Sequence, residues 1–409
     1  LASWRLGDSS WLQLAAGYGA SIPRHGLGWL NSTRRDLLIY LDHNATTPVV
    51  PEARAAVAAA LETAWANPSS SHAAGKLARK LVEAARYDVS GTLGVATERV
   101  IFESGATEAI NHAIAAAGPG RVLVSAVEHP AVWAALDVRP DRTVEVLPVN
   151  RAGHVDVAQV LAAVDAGPKP ALAAVMAANN ETGVCQPVRE LAPALAERGV
   201  PFLVDAVQYA GKKDLTGLDV DYLVCSAHKL GGPKGAGALV LRADARPAPL
   251  IVGGGQELGL RCGTESVPAI AGFGAAMRRV LEHREEDSAR IEALRDKLQN
   301  GLLDALDGLQ VVGHDAPERL PNTLSVILPE GSEAEPVMTR LDRAGIAVSA
   351  GSACHAGSLK PSKVLTAMGY APAESFRALR ISLGYGNDDA QIDRVLELLP
   401  RFAQEVADW

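Results

Sequence analysis

The chain has 409 residues, 48% of them apolar but only 4% aromatic, and a formal net charge of −8. That length supports two or three domains with a core built from Ala, Val and Leu. The acidic balance argues against a dedicated nucleic-acid binder, and no apolar run reaches the length of a membrane span.

Residues 1–38 carry three of the six tryptophans (Trp4, Trp11, Trp29) and four arginines against two aspartates, with poor periodicity. A transit peptide would suit that composition, as would an extension with no folded role, and we place the segment outside the fold. Residues 39–48 predict a short strand closing in a polar turn, and 51–66 an Ala-rich helix. A loop at 67–72 leads to a basic helix through Arg86. From Val100 onward, apolar runs at 100–102, 122–127, 171–177, 202–204, 222–225 and 238–241 alternate with amphipathic helices such as 188–198. That alternation predicts an α/β domain on a mainly parallel sheet. After Pro268 the pattern changes. A charged helix at 287–306, a strand at 323–328, a helix at 335–344, strands at 346–349 and 378–383 and a closing helix at 388–406 predict a smaller α+β domain. The expected division is 50–300 for the large domain, with 39–49 and 301–409 forming the small one.

The four cysteines, at 185, 225, 262 and 354, include no Cys-x-x-Cys pair. They predict free thiols in a reducing, cytoplasmic compartment rather than a disulfide framework or a zinc knuckle. Cys185 and Cys225 read as small buried hydrophobes.

Three apolar runs end on residues that chemistry can use. The run 222–225 delivers Ser226, His228 and Lys229, and a lysine at a strand end costs stability unless its amine is used or paired. The run 202–204 ends on Asp205, whose ordinary role would be a helix cap. The run 100–102 leads into Ser104-Gly-Ala-Thr-Glu108, a strand-to-helix turn whose free N–H groups and positive dipole end suit a phosphate. Ligands of such sheets gather at the C-terminal strand ends, where Ser104, Asn180, Asp205 and Ser226 all fall. An amine for a Schiff base, a carboxylate for a pyridinium nitrogen and a phosphate cradle are what pyridoxal 5'-phosphate requires.

With Glu128-His-Pro130, Asn179-Asn-Glu-Thr-Gly183, Asp205-Ala-Val-Gln208 and Ser226-Ala-His-Lys229 in that order, the chain resembles a fold-type-I pyridoxal phosphate enzyme. With Gly351-Ser-Ala-Cys354 added, it is similar to the cysteine desulfurases of the NifS/IscS group, within the class-V aminotransferases, from about Ile39 to the C-terminus. The resemblance implies a large domain with a mainly parallel seven-stranded sheet, a smaller α+β domain, pyridoxal phosphate as cofactor and a homodimer. It implies that Lys229 holds the coenzyme aldehyde and moves the substrate Cα proton, while Asp205 faces the pyridine nitrogen. His129 would stack on the ring and handle a proton, Gln208 would meet the ring hydroxyl, and Asn180 would lie between cofactor and substrate. Ala106 and Thr107, joined by Ser226 and His228, would bind the phosphate. Thr264 would reach the phosphate of the neighbouring subunit, with Cys262 and Ser266 departing from the serine and asparagine common in relatives.

Arg380 is expected to take the carboxylate of L-cysteine through paired hydrogen bonds. Arg377 competes with it, and strand alternation would turn the two to opposite sides. Cys354 sits among small residues expected to be mobile. As a thiolate, it would attack the substrate sulfur, leave alanine, and carry a persulfide to an acceptor such as an iron–sulfur scaffold protein. His355 would assist it or face solvent. No permanent metal is implied, Cys354 being at most a transient iron–sulfur ligand, and neither nucleic acid nor membrane is an expected partner. The alternatives are a selenocysteine lyase, another class-V enzyme, or a non-catalytic scaffold.

Overall fold

The computed structural model describes residues 38–243, 245, 247–350 and 360–408. The chain divides into two compact units, 1–39 and 40–409. Of the first, only Leu38 and Ile39 are described, and the second holds the two larger sheets.

The centre of this second unit is a seven-stranded sheet: β1 (Val100–Glu103), β2 (Gly120–Ser125), β3 (Arg142–Leu147), β4 (Leu172–Ala174), β5 (Phe202–Asp205), β6 (Tyr222–Ser226) and β7 (Gly237–Leu241). The strand order is β1-β7-β6-β5-β4-β2-β3. Pairing is parallel from β6 through β5, β4 and β2 to β3, and β7 is antiparallel to both of its neighbours. Only β7 therefore runs against the rest, so β1, β5 and β6 end at the same edge. The inner strands are unbroken Val, Leu, Ile and Ala runs because helices cover both faces. Alternate side chains go to opposite sides. Phe102, Phe202, Val204, Leu223 and Val240 share one core with Val82, Val89 and Phe273. Ile101, Val124, Leu203, Val224 and Leu239 share another with Ile110, Ile114 and Val132.

The covering helices include α1 (Pro51–Thr63), α2 (Ala73–Leu93), α3 (Ala106–Ala116), α4 (Pro130–Asp137) and α5 (Val267–Ala305). Two expectations fail here for physical reasons. The helix predicted at 287–306 begins at Val267, with Pro268 in the first turn of α5, where proline is tolerated because its missing N–H would have no helical partner. The 39-residue helix thus begins well before the charged stretch. Strand β3 was not predicted, because Arg, Thr and Glu interrupt it and Val144 and Val146 are 37% and 51% exposed. It is an edge strand, paired with β2 alone.

A second, antiparallel sheet contains β8 (Gln310–Val311), β9 (Thr323–Ile327), β10 (Ser349–Ala350) and β11 (Ala378–Ser382), in the order β10-β11-β9-β8. The predicted strand 346–349 is split: Ile346–Ala347 is one short strand and β10 another. Register places Arg380 of β11 opposite Ser325 and Ser349. The closing helix α6 (Asp389–Ala407) packs on α5. No described helix is long and apolar enough to cross a membrane.

One close approach positions the site. A Cβ added to Gly237 of β7 would lie 2.7 Å from Gly105 Cα and 3.0 Å from Cys225 O. Gly237→Ala should therefore push β7 and the turn before α3 apart. Overpacking of this kind costs about 1–3 kcal/mol. The expected result is a lower thermal midpoint together with weaker coenzyme binding; an unchanged midpoint would contradict the close packing.

Candidate active site

The C-terminal ends of β1, β5 and β6, with the segments after β2 and β4, enclose a cavity of about 470 Å³. Ala106, Thr107, His129, Asn180, Asp205, Gln208, Ser226, His228 and Lys229 all line it. Nine of the ten positions assigned to the cofactor thus share one cavity. The tenth, Thr264, is exposed and lines an adjacent cavity of about 180 Å³, which shares Ser104 and Gly235 with the first.

At one end stands the N-terminus of α3, with no side-chain cap. Its first intrahelical bond runs from Ala109 N–H to Gly105 O, which leaves the preceding helical N–H groups without helical partners. A Cβ built on Gly105 would meet nothing within 4 Å, so the space over the turn is open. Ser226 ends β6 beside it. His228 Nδ1 lies 3.1 Å from Thr46 Oγ1, and burial lowers its pKa to about 4, so the ring is neutral.

Lys229 follows β6 in a short 3-10 turn, and its Nζ donates to the carbonyls of Asn44 (2.5 Å) and Ala45 (2.9 Å). Burial, helped by the positive charge of Arg380, lowers its pKa to about 8, against the pull of Asp205 and Asp42. Capturing an aldehyde requires the neutral amine. Coenzyme uptake by the cofactor-free protein should therefore accelerate as pH rises through about 8. Stopped-flow mixing across a pH series spanning neutral to alkaline checks this; a rate still climbing only near the ordinary lysine range, about 10.4, would contradict it.

Asp205 is buried, and among the described residues its carboxylate accepts only the Val207 N–H, at 2.9 Å. Burial raises its pKa against that bond and the nearby His129 and Lys229. Such a carboxylate gains from a cationic ring nitrogen placed against it. His129 is the N-cap of α4, where its Nδ1 accepts the Ala131 N–H at 3.1 Å. Its ring proton is therefore assigned to Nε2, and burial lowers its pKa. Gln208 Nε2 donates to Asn44 O at 2.9 Å, while its Oε1 is buried with no partner. Buried oxygens are rarely left so, and a ring hydroxyl would satisfy this one. Orphan acceptor, open helix end, depressed amine and underpaired carboxylate together fit pyridoxal 5'-phosphate.

Arg380 is buried, with Nη1 donating to Asn180 O (3.0 Å), Nη2 to Asp42 Oδ1 (2.7 Å), and Nε left without a partner. Arg377 is not on the strand at all, so alternation does not separate the pair. It caps the short helix Pro372–Phe376, and its Nη1 donates to Leu328 O at 2.7 Å.

Three residues that hold the site together had no predicted role. Asn44 is fully buried, takes bonds from Lys229 and Gln208 on its carbonyl, and donates through Nδ2 to Thr323 Oγ1 and Asn180 O. Asp42 pairs with Arg380. Glu128 accepts Ser125 Oγ–H and Met176 N–H, both at 2.6 Å on Oε1, and burial raises its pKa to about 8. The polar run at 42–46 and the motif around His129 were the available signals, but a turn and a motif do not say which atoms meet. Cys185, Cys225 and Cys262 are free and buried. Cys354 and His355 lie outside the described residues.

Comparison with known proteins agrees with this geometry. The aminotransferase class-V family matches residues 39–395. A cysteine desulfurase of Gluconacetobacter diazotrophicus is 41% identical over 373 residues, 88% of this chain and 92% of the relative. One from Bradyrhizobium diazoefficiens is 42% identical over 368 residues, with the same coverages. Among solved structures, a NifS-like protein from Rickettsia africae superposes with a TM-score of 0.81 at 31% identity, covering 91% of this chain and all of that one. A structure described as SspA in complex with cysteine has a TM-score of 0.74 at 32% identity, covering 85% of this chain and 99% of that one. A seven-stranded sheet with one antiparallel member, a cavity fitted to pyridoxal phosphate and a match over most of its length give one conclusion: the chain belongs to the class-V aminotransferase family of pyridoxal phosphate-dependent enzymes.

Proposed function

We propose that this enzyme is a cysteine desulfurase, converting L-cysteine to L-alanine and a persulfide on Cys354. The observation that carries the proposal is the convergence of Lys229, Asp205 and the open α3 terminus in one cavity, with Arg380 reaching Asn180 on its wall. Bound there, pyridoxal phosphate supplies an electron sink for the bond made or broken at the substrate Cα. Lys229 would hold its aldehyde and would move the substrate Cα proton on Nζ. Asp205 would keep the ring nitrogen protonated, the helix terminus with Thr107, Ser226 and His228 would take the phosphate, and Gln208 Oε1 would accept from the ring hydroxyl. His129 would cover the ring, with its own proton on Nε2. Arg380 trades the Asn180 carbonyl for the substrate carboxylate and fixes the amino acid's orientation.

Cys354 then completes the reaction. Its thiolate forms an S–S bond to the substrate Sγ as the Cβ–Sγ bond breaks, the bonding pair staying with the carbon fragment. That fragment takes up protons and leaves as alanine. The sulfane sulfur passes to an acceptor such as an iron–sulfur scaffold protein. We place the enzyme in the cytoplasm as a homodimer, with Thr264, which stands outside its own chain's cavity, serving the phosphate of the neighbouring subunit. The test is product analysis: holoenzyme with L-cysteine and a thiol reductant should release alanine and sulfide one for one. Alanine from L-selenocysteine but none from L-cysteine would sink the proposal in favour of a selenocysteine lyase.

A further inference from the structure

Behind the phosphate turn lies a cluster of charge that the desulfurase mechanism does not use. Glu103 ends β1 and His112 lies on α3. Both side chains are fully buried, with Glu103 Oε1 2.8 Å from His112 Nδ1. His112 Nε2 stands 3.0 Å from Ala248 O, and a carbonyl only accepts, so Nε2 carries a proton. The Nδ1···Oε1 contact holds one more proton, on either partner, and the pair is neutral in sum in both arrangements.

Glu108 is different. It lines the cofactor cavity beside the turn, and its Oε2 accepts the Ser104 N–H at 2.8 Å. Burial would raise its pKa, but bonds from Arg261 and its neighbours hold it down at about 2, so it is an anion. An anion beside a phosphate site repels the ligand unless a cation offsets it. Arg261 is that cation: its Nε lies 2.8 Å from Glu108 Oε1, its Nη2 3.3 Å from Oε2, and its Nε 3.8 Å from Glu103 Oε2. That last oxygen is buried and has no hydrogen-bond partner.

We propose that Arg261 is a positioning residue for the phosphate end of the coenzyme, cancelling the Glu108 carboxylate and holding it on the Ser104 N–H so that the turn presents a net attractive cradle. This rests on the phosphate lying at the Ser104–Thr107 turn, as the proposed function requires. Pyridoxal, which keeps the ring and the aldehyde but lacks the phosphate, separates a charge effect from a mere strut.

Both ligands are titrated into the full-length protein freed of coenzyme. Arg261→Gln should raise the Kd for pyridoxal phosphate about tenfold or more, one decade being the response to a modest change in local charge, while the Kd for pyridoxal moves less than about twofold. Adding Glu108→Gln to Arg261→Gln should restore most of the lost affinity, and Glu108→Gln alone should not weaken pyridoxal phosphate binding. Should Arg261→Gln fail to fold by circular dichroism, Arg261→Lys, which keeps the charge and loses the fork, should retain the preference for the phosphorylated ligand. Equal weakening of both ligands, weakening by Glu108→Gln alone, or no rescue in the double variant overturns the proposal. Ser226→Ala is the control on the site itself. If it shifts the ratio of the two affinities and Arg261→Gln does not, the role of Arg261 is wrong and the phosphate site stands. If neither shifts it, the phosphate site is wrong as well.

Discussion

Lys229→Ala is expected to lose roughly three decades of desulfurase rate, the span of a positioned acid–base group that also carries the cofactor. In the proposed mechanism one side chain would serve two steps, because the amine that would hold the aldehyde is also the one placed to move the Cα proton. Its two partners are carbonyl oxygens, which orient the amine without neutralising it, and burial with Arg380 makes the neutral form accessible near pH 8. Lys212 is half-buried, and desolvation with the charge of Lys229 lowers its pKa to about 7. It cannot substitute, since its Nζ is tied to Gln208 O at 2.9 Å and it does not line the cofactor cavity. The check is the rate of alanine formation at saturating coenzyme, with the visible absorbance of the covalent complex recorded alongside. A variant that keeps both would place the chemistry on another amine.

Cys354→Ala is expected to abolish sulfide release, by at least roughly 100-fold, because a nucleophile and its partners act as a unit. The same variant should bind coenzyme normally and still exchange the Cα proton of L-cysteine with solvent deuterium, since none of the described groups lining the cavity changes. None of the described cysteines suits the task. Burial pushes the Cys185 thiol, with Glu318 nearby, and the Cys225 thiol up to about 12, whereas an attacking sulfur must be a thiolate. Cys262 is only 4% exposed. Sulfide output that survives in Cys354→Ala would mean that the substrate sulfur leaves without this thiol.

Much of the large sheet was legible because strands covered on both faces are unbroken apolar runs, and each of the three runs singled out for chemistry carried cavity-lining residues at its C-terminal end. The edge strand β3 broke that pattern. With one neighbour and half-exposed valines it has no need of continuous apolar side chains. The start of α5 was not legible because its first turns, from Val267 to Ala276, carry small and apolar residues rather than the charged pattern that marks 287–306. The cavity-lining residues were found through motifs whose chemistry is specific to one coenzyme. The support behind them was not legible. Asn44 joins Lys229, Gln208, Asn180 and Thr323 across separations of up to 279 residues, and no local pattern encodes a hydrogen bond made at that distance. Glu128 was visible within its motif, yet its bond to Met176 N–H exists only once β2 and β4 lie side by side. Arg380 and Arg377 could be told apart only when one proved to be on β11 and the other at a helix end.

The claim on which everything else turns is that sulfur moves from the substrate to Cys354. Holoenzyme is mixed with one equivalent of sulfur-labelled L-cysteine, quenched with an alkylating agent and mapped by peptide mass spectrometry. Transfer to Cys354 predicts one labelled sulfur on the peptide carrying that residue, in amounts equal to the alanine formed. Alanine formed with the label on Cys262 or free in solution, and Cys354 unmodified, would contradict it.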